Sequence, residues 1–372
     1  MNKEIKPLTS FRFFAALAVF LYHIPYFSGA KGQFCVREGY VGVSFFFLLS
    51  GFILAYNYHE KFICLKKDKI RNFYTARIAR IYPTHVLTFF ASIPMLLGGN
   101  FYRVHIPGCV RISAINFLLL QSFMPKIYYY FSYNIVSWSL SDEMFFYLLF
   151  PFLIFAYYQM KPGLVKILFA IVGLWILTAI PVFIFIQKLP HDYDLAYWLF
   201  NIVPFSRIID FTVGILLFFL YSRILSQSLD WKSAYFTFAE LTSIVLLAAA
   251  FRFSSHAHQY YHWAAYYMPF MALMILVFAF SKGGVSSFLS RKYFVLLGEL
   301  SFAFYMFHNL VLMYMKQSGA LFFKTHQVSG GFIAFFATLL ISCLSYAYFE
   351  IPMRGWIKKM AEGSRQAKPS VG

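Results

Sequence analysis

The chain predicts an all-α, polytopic membrane protein with about ten transmembrane helices and both termini cytoplasmic, and three observations carry that expectation. Hydrophobic residues make up 60% of the 372 positions and charged residues only 12%. The mean hydropathy of +0.65 lies far on the apolar side of a soluble domain. Stretches long enough to cross a bilayer, about 20 residues each, recur at approximately 8–27, 40–58, 81–98, 137–158, 164–187, 198–221, 234–251, 263–281, 293–315 and 330–350. Finally, the basic residues sort by side. With the N-terminus inside, 21 of the 32 Lys and Arg fall in inner segments and nine in outer ones, with Arg12 and Arg207 inside spans, which is the positive-inside pattern.

Taken in order, the first stretch, LTSFRFFAALAVFLYHIPYF, is interrupted by Arg12 and His23 and is followed by no small-residue cleavage pattern. It is expected to remain as a helix rather than be removed as a signal peptide. The second, GYVGVSFFFLLSGFILA, is almost uniformly apolar. The loop HEKFICLKKDKIRNFYTARIARIYP, the densest in basic residues, then leads into the third. The run at 112–124, ISAINFLLLQSFM, is too short to span and reads as interfacial or re-entrant. Only QMKPG separates the fourth span from the fifth. Residues 1–353 read as one integral-membrane domain and 354–372 as a short, basic, mobile cytoplasmic tail, with no repeat, linker or soluble domain between them.

Composition also excludes function classes. The formal charge of +18 is spread between apolar segments rather than gathered with a stacking platform, so nucleic acid is not expected as a partner. Cys35, Cys64, Cys109 and Cys343 have no metal-ligand spacing, and no metal is expected. The topology puts Cys35 and Cys109 on the outer side, where a disulfide or buried free thiols are both open. The aromatic content of 22% suits Tyr and Trp belts at the interfaces and names no function.

Ionisable groups inside spans are functional candidates by default. Arg12 and His23 stand eleven positions apart, which in a helix is about three turns plus roughly 20° and a rise of about 16 Å. They therefore share one face and lie about half a hydrocarbon thickness apart. A neutral imidazole at His23 can take a proton from an attacking hydroxyl; a structural hydrogen bond is the plainer alternative. Glu143, in NIVSWSLSDEMFFYLLFP, is expected about 9 Å into the fourth span from the outside, where it could orient His23 as a carboxylate does in a catalytic triad; Asp142 beside it is expected to face water. Arg77 and Arg80 form an RxxR pair on one helix face, with forks that match phosphate oxygens, although topology anchors would have the same composition. Arg207 and Asp210, three residues apart in SRIIDFTVG, read as an intrahelical ion pair or an acceptor contact. His308, in GELSFAFYMFHN, reads as an acceptor contact or a packing histidine.

In this order the pieces LTSFRFFAALAVFLYH, GYVGVSFFFLLSGFILA, RNFYTARIARIYP, VSWSLSDEMFFYLLFP, SRIIDFTVG, LGELSFAFYMFH and YFEIP resemble the integral-membrane acyltransferase family 3, which contains polysaccharide O-acetyltransferases. The resemblance covers about residues 8–353. It implies a membrane O-acyltransferase in the bacterial cytoplasmic (inner) membrane that uses cytoplasmic acyl-CoA, usually acetyl-CoA, as donor. A carbohydrate hydroxyl, on a cell-surface or lipid-linked glycan, would be the acceptor, and membrane lipids surround the site. Carried onto this sequence, the resemblance implies a catalytic role for His23 with the acidic residue Glu143, and donor binding by Arg12, the helix partner of His23, together with Arg77 and Arg80. Some family members append an extracellular hydrolase-like domain; none is expected here, which leaves direct transfer and a separate periplasmic transferase partner both open. The competing class is a proton-coupled transporter or flippase using Arg12, His23 and Glu143 as a relay, but the paired halves common in such proteins are not visible in the sequence.

Overall fold

A computed structural model describes residues 4–28, 37–97, 106–188, 192–226 and 232–366. Its long helices are α1 (Lys6–Ser28), α2 (Val41–Tyr58), α3 (Lys67–Leu97), α6 (Trp138–Met160), α7 (Leu164–Lys188), α9 (Pro204–Leu225), α10 (Ser233–Phe253), α12 (Met268–Ala279), α14 (Lys292–Thr325), α15 (Gln327–Ser345) and α16 (Ile351–Gln366). The shorter α4 (Ile106–Phe117), α5 (Ile127–Tyr130), α8 (Tyr193–Tyr197), α11 (Gln259–Ala264) and α13 (Gly284–Leu289) connect them. Strands are absent among the described residues. All-helical architecture follows from the solvent, because lipid offers no partner to backbone N–H and C=O groups and a helix satisfies them internally.

Among the described residues, nine helical segments are long and apolar enough to cross a membrane, so the chain is a multi-pass membrane protein. The expected span at 81–98 is not one of the nine. Its residues to Leu97 lie in α3, whose Thr84, His85, Thr88 and Ser92 are buried. That helix turns a polar stripe inward, which lowers its apolarity below that of a lipid-facing helix. The other boundaries hold closely. At QMKPG, α6 ends at Met160, Lys161 takes a left-handed conformation at φ 43°, and α7 begins at Leu164. The 112–124 run forms the end of α4 and a single 3-10 turn at Gln121–Phe123, neither long enough to span.

Burial separates inner helices from outer ones. The α14 span is 83% buried, whereas those of α7 and α10 are 17% and 22% buried and present Leu, Ile, Val and Phe outward to lipid. The centre is built from α14 packed along α1 and from α2 packed along α9. Glycines set how closely these pairs approach. A Cβ on Gly51 would lie 2.0 Å from the Phe211 carbonyl oxygen, and one on Gly214 the same distance from that of Leu48, so α2 and α9 touch backbone to backbone, as small residues permit in membranes. Phe47, Phe146 and Phe211 fill the space beside this crossing, with Phe146 stacked on Phe211 at 5.1 Å.

The tail after Pro352 departs from expectation. A π-helical turn at Tyr346–Glu350 leads directly into α16, which continues to Gln366. Pro352 follows directly on this π-turn, an irregularity of the kind that accompanies a proline within a continuous helix, and Glu350 accepts a hydrogen bond from Arg354 at 2.8 Å. This segment is therefore a helix packed on α3, and Arg354 lies within it. Cys35 lies outside the described residues, and with it the choice between a disulfide to Cys109 and free thiols.

Candidate active site

Two cavities lie within the bundle. One, of about 430 Å³, is lined by residues from the first halves of α1 and α3, from α2, the first turns of α6, α14, the π-turn and α16. Arg12, Arg77, Arg80 and Arg354 all line it. Arg77 donates to the Tyr58 hydroxyl at 3.1 Å and lies over the rings of Tyr58, Phe73 and Tyr147, which fixes its orientation. Among the described residues, Arg12 and Arg80 make neither an ion pair nor a hydrogen bond. Two guanidinium groups without a protein partner in a partly dehydrated cavity constitute a site for anionic oxygens.

The carboxylates of this inner cavity are held by hydroxyls instead of by the arginines. Glu143 accepts from Tyr147 at 3.1 Å and Ser50 at 3.4 Å, Glu4 from Thr9 at 2.7 Å, and Glu299 from Tyr346 at 3.3 Å. Glu143 thereby sits beside the cluster without pairing to any one fork. The RxxR spacing does what helix geometry requires, since both arginines reach one cavity.

The second cavity, of about 330 Å³, holds His23 with Tyr22, Tyr130, Tyr197, Asn201 and Asn309 among its lining. His23 Nδ1 lies 2.9 Å from the Val19 carbonyl oxygen and 3.1 Å from His308 Nε2. His308 Nδ1 in turn lies 2.5 Å from the Tyr305 carbonyl oxygen. A carbonyl only accepts, so in the neutral pair each Nδ1 carries the proton, and His23 shares its Nδ1–H between Val19 and His308 Nε2. The basic lone pair of His23 is then on Nε2. Fixed partners on Nδ1 hold the ring and its tautomer, as a general base requires. Tyr130, in the loop between spans, has its hydroxyl pushed up to about 12 by burial and by the nearby Asp194 carboxylate, so it stays a neutral donor at the cavity wall. The Asn309 Oδ1 atom is buried without a hydrogen-bond partner.

Arg12 and His23 lie on the same helix but serve different cavities, Arg12 the inner and His23 the outer. Glu143 is not the group facing His23. It lines the arginine cavity and is held by Ser50 and Tyr147 there, and the imidazole partner is His308. The misplacement arose from measuring depth along each helix from its own end, which ignores where the helices cross. Asp142 does not face water either but is fully buried. Arg207 and Asp210 form the intrahelical pair at 2.7 Å; Arg207 also reaches Ser44 and the Trp263 carbonyl, tying α9 to α2 and α11, and neither residue lines either cavity. Two lining residues were not read from the sequence: Arg354, whose signal was its i, i+4 spacing from Glu350, and Asn309, which sits next to His308.

A family model described as an acyltransferase domain matches residues 7–347. The chain belongs to this acyltransferase family. Within the family it is similar to Acyltransferase MdmB of Streptomyces mycarofaciens, at 30% identity over 84% of this chain and 80% of that protein. It is also similar to O-acetyltransferase OatA of Staphylococcus aureus strain NCTC 8325, at 23% identity over 93% of this chain and 57% of that protein, and to the putative O-acetyltransferase SACOL0978 of Staphylococcus aureus strain COL, at 22% over 95% and 58%. The chain thus spans a little over half the length of these staphylococcal relatives. No solved structure matches it significantly. Membership makes the protein a multi-pass membrane acyltransferase.

Proposed function

We propose that the protein is an O-acyltransferase of the bacterial cytoplasmic membrane that moves an acyl group, acetyl in the simplest case, from cytoplasmic acyl-CoA to a hydroxyl of a cell-surface or lipid-linked carbohydrate. The observation that carries this reading is the separation of an arginine cavity from a histidine cavity within one bundle. Acyl-CoA has the matching form, with a polyanionic nucleotide end and a long uncharged arm ending in the thioester. Arg12, Arg77, Arg80 and Arg354 would hold the phosphates, by charge-assisted contacts that are about twice as strong as neutral ones. Glu143, held by Ser50 and Tyr147, would keep the forks apart and oriented.

In the reaction, the acceptor hydroxyl sits in the outer cavity with its proton toward His23 Nε2. Asn309 Oδ1 and the Tyr130 hydroxyl supply further polar contacts, and the surrounding rings offer faces for a sugar to lie against. As the hydroxyl oxygen attacks the thioester carbonyl carbon, His23 takes its proton, the carbon–sulfur bond breaks, and the thiolate of CoA leaves with that proton returned from the imidazolium. His308 Nε2 and the Val19 carbonyl stabilise the imidazolium through its Nδ1–H. The OatA relatives are named O-acetyltransferases, which supports an oxygen acceptor and an acetyl group. Completion of the transfer by this chain itself is the simpler reading, with hand-over to a separate periplasmic transferase as the alternative.

The test uses purified protein and acetyl-CoA labelled in the acetyl group. Wild type should bind the donor and, given acceptor-containing membranes, release CoA thiol with label appearing in a glycan fraction resolved by mass spectrometry. His23→Ala should bind the donor while transfer falls by about 10²–10⁴, the range of a general base. Undiminished transfer in that variant, or label found on protein His23 instead of on product, would overturn direct base-assisted transfer.

A further inference from the structure

The inner and outer cavities share two lining residues, Val43 of α2 and Tyr305 of α14. Both are nearly inaccessible to solvent, at 6% and 5% exposure, so together they form a septum where the two cavities abut. The Tyr305 hydroxyl lies 2.9 Å from Ser139 Oγ and donates to the Val136 carbonyl at 3.1 Å. Ser139 lines the inner cavity and Val136 the outer one. The phenol is thus latched to the irregular turn that starts α6, at the boundary between the two spaces. Its ring meets Phe46 edge-on at 5.9 Å on the inner side and lies 5.7 Å from the His308 ring on the outer side.

We propose that Tyr305 is a gate between the donor and acceptor cavities, and that its side chain swings off the Ser139–Val136 latch to admit the thioester arm to His23. The inference rests on the acyl-CoA reading above. Its physical basis is that the two linings have one tyrosine and one valine in common, and that the hydrogen bonds of the tyrosine hydroxyl run to the start of α6. The latch consists of neutral hydrogen bonds, whose net strength is modest, and the arm of the donor carries amide groups able to take over the exposed partners Ser139 Oγ and Val136 O. The α14 backbone need not move, so the Tyr305 carbonyl can continue to orient His308 while the phenol swings. Closed, the gate keeps water in the outer cavity away from the thioester. Water at that place would react as the acceptor does, its oxygen joining the acyl carbon as the carbon–sulfur bond breaks, with His23 passing the proton to the departing thiolate and free carboxylic acid formed.

Two variants test the gate. Val43→Trp fills the septum from the α2 side. It should bind acyl-CoA within about threefold of wild type, because the anionic end is held elsewhere, yet lose transfer by at least about a hundredfold. Tyr305→Phe keeps the ring and removes the latch, and should raise acceptor-free hydrolysis of acetyl-CoA several-fold. Transfer by Val43→Trp at the wild-type rate would overturn the proposal. If that variant does not purify as a folded protein, hydrolysis by Tyr305→Phe at the wild-type level overturns it instead. A wild-type protein that neither binds nor consumes acyl-CoA would instead defeat the donor assignment, so the two failures are distinguishable.

Discussion

At the scale of single residues, the histidine pair is the most consequential feature, because it replaces a carboxylate with a neutral imidazole as the orienting group. His308 Nε2 can accept the His23 Nδ1–H only while His308 itself remains Nδ1-protonated, which the Tyr305 carbonyl enforces. His308→Gln retains an acceptor near that position, whereas His308→Phe removes it at similar ring volume. The expected outcome is a drop in kcat of about tenfold to a hundredfold in His308→Phe with little change in donor KM, and partial recovery in His308→Gln; a KM effect without a kcat effect would make His308 a packing residue. The sequence made half of this legible. His23 stood out because an ionisable group within an apolar span needs a reason, and the RxxR pair because helix geometry fixes its face. The partner of His23 did not, since it lies 285 positions away and nothing local distinguishes His308 from a packing histidine. Glu143 looked like that partner only because both residues lie near the outer ends of their own helices, while the crossing of α1, α2 and α6 puts Glu143 in the other cavity.

At the scale of elements, three motifs legible as strings acquire a structural cause. The glycines of the GYVGVSFFFLLSGFILA and SRIIDFTVG stretches include Gly51 and Gly214, each of which faces a carbonyl of the opposite helix with no room for a Cβ. Gly51→Ala should therefore force α2 and α9 apart at a cost of about 1–3 kcal/mol, seen as a thermal midpoint in detergent several degrees below wild type. Gly173→Ala, at an open position on α7, should leave it unchanged, and equal behaviour of the two variants would contradict the packing described. The YFEIP stretch marks the π-turn that aims α16 and its Arg354 at the inner cavity. If α16 is part of the donor site, Arg354→Ala should raise the KM for acyl-CoA about tenfold to a hundredfold, the equivalent of a charge-assisted bond of about 1.5–3 kcal/mol. Arg80→Ala should do likewise, with kcat little affected in either case; an unchanged KM would return α16 to the role of a tail. The helix positions themselves were readable because length and apolarity decide them in lipid. The polar inward stripe of α3 was the exception, since a helix with buried Thr84, His85, Thr88 and Ser92 no longer looks like a span to a hydropathy average.

For the molecule as a whole, the distribution of basic residues and the two cavities make one joint prediction about sidedness. Most Lys and Arg lie on the side of the RxxR loop, so the positive-inside rule assigns the arginine cavity to the cytoplasm and the histidine cavity to the opposite face. The proposed transfer needs the same assignment, because acyl-CoA would come from the cytoplasm and a surface glycan would be reached from outside. Single cysteines placed at Asn57, on the inner cavity, and at Asn201, on the outer one, in a background with the four native cysteines changed to Ser, can report it in intact cells and in inverted vesicles. A membrane-impermeant maleimide should reach the Asn201→Cys protein from the external face and the Asn57→Cys protein only in inverted vesicles. Prior addition of CoA should protect the second without affecting the first, because CoA occupies the inner cavity in this geometry. Labelling of both positions from one side would mean that the two cavities open to the same compartment. The bundle would then have no need of a septum at Val43 and Tyr305, and the acceptor would have to be cytoplasmic.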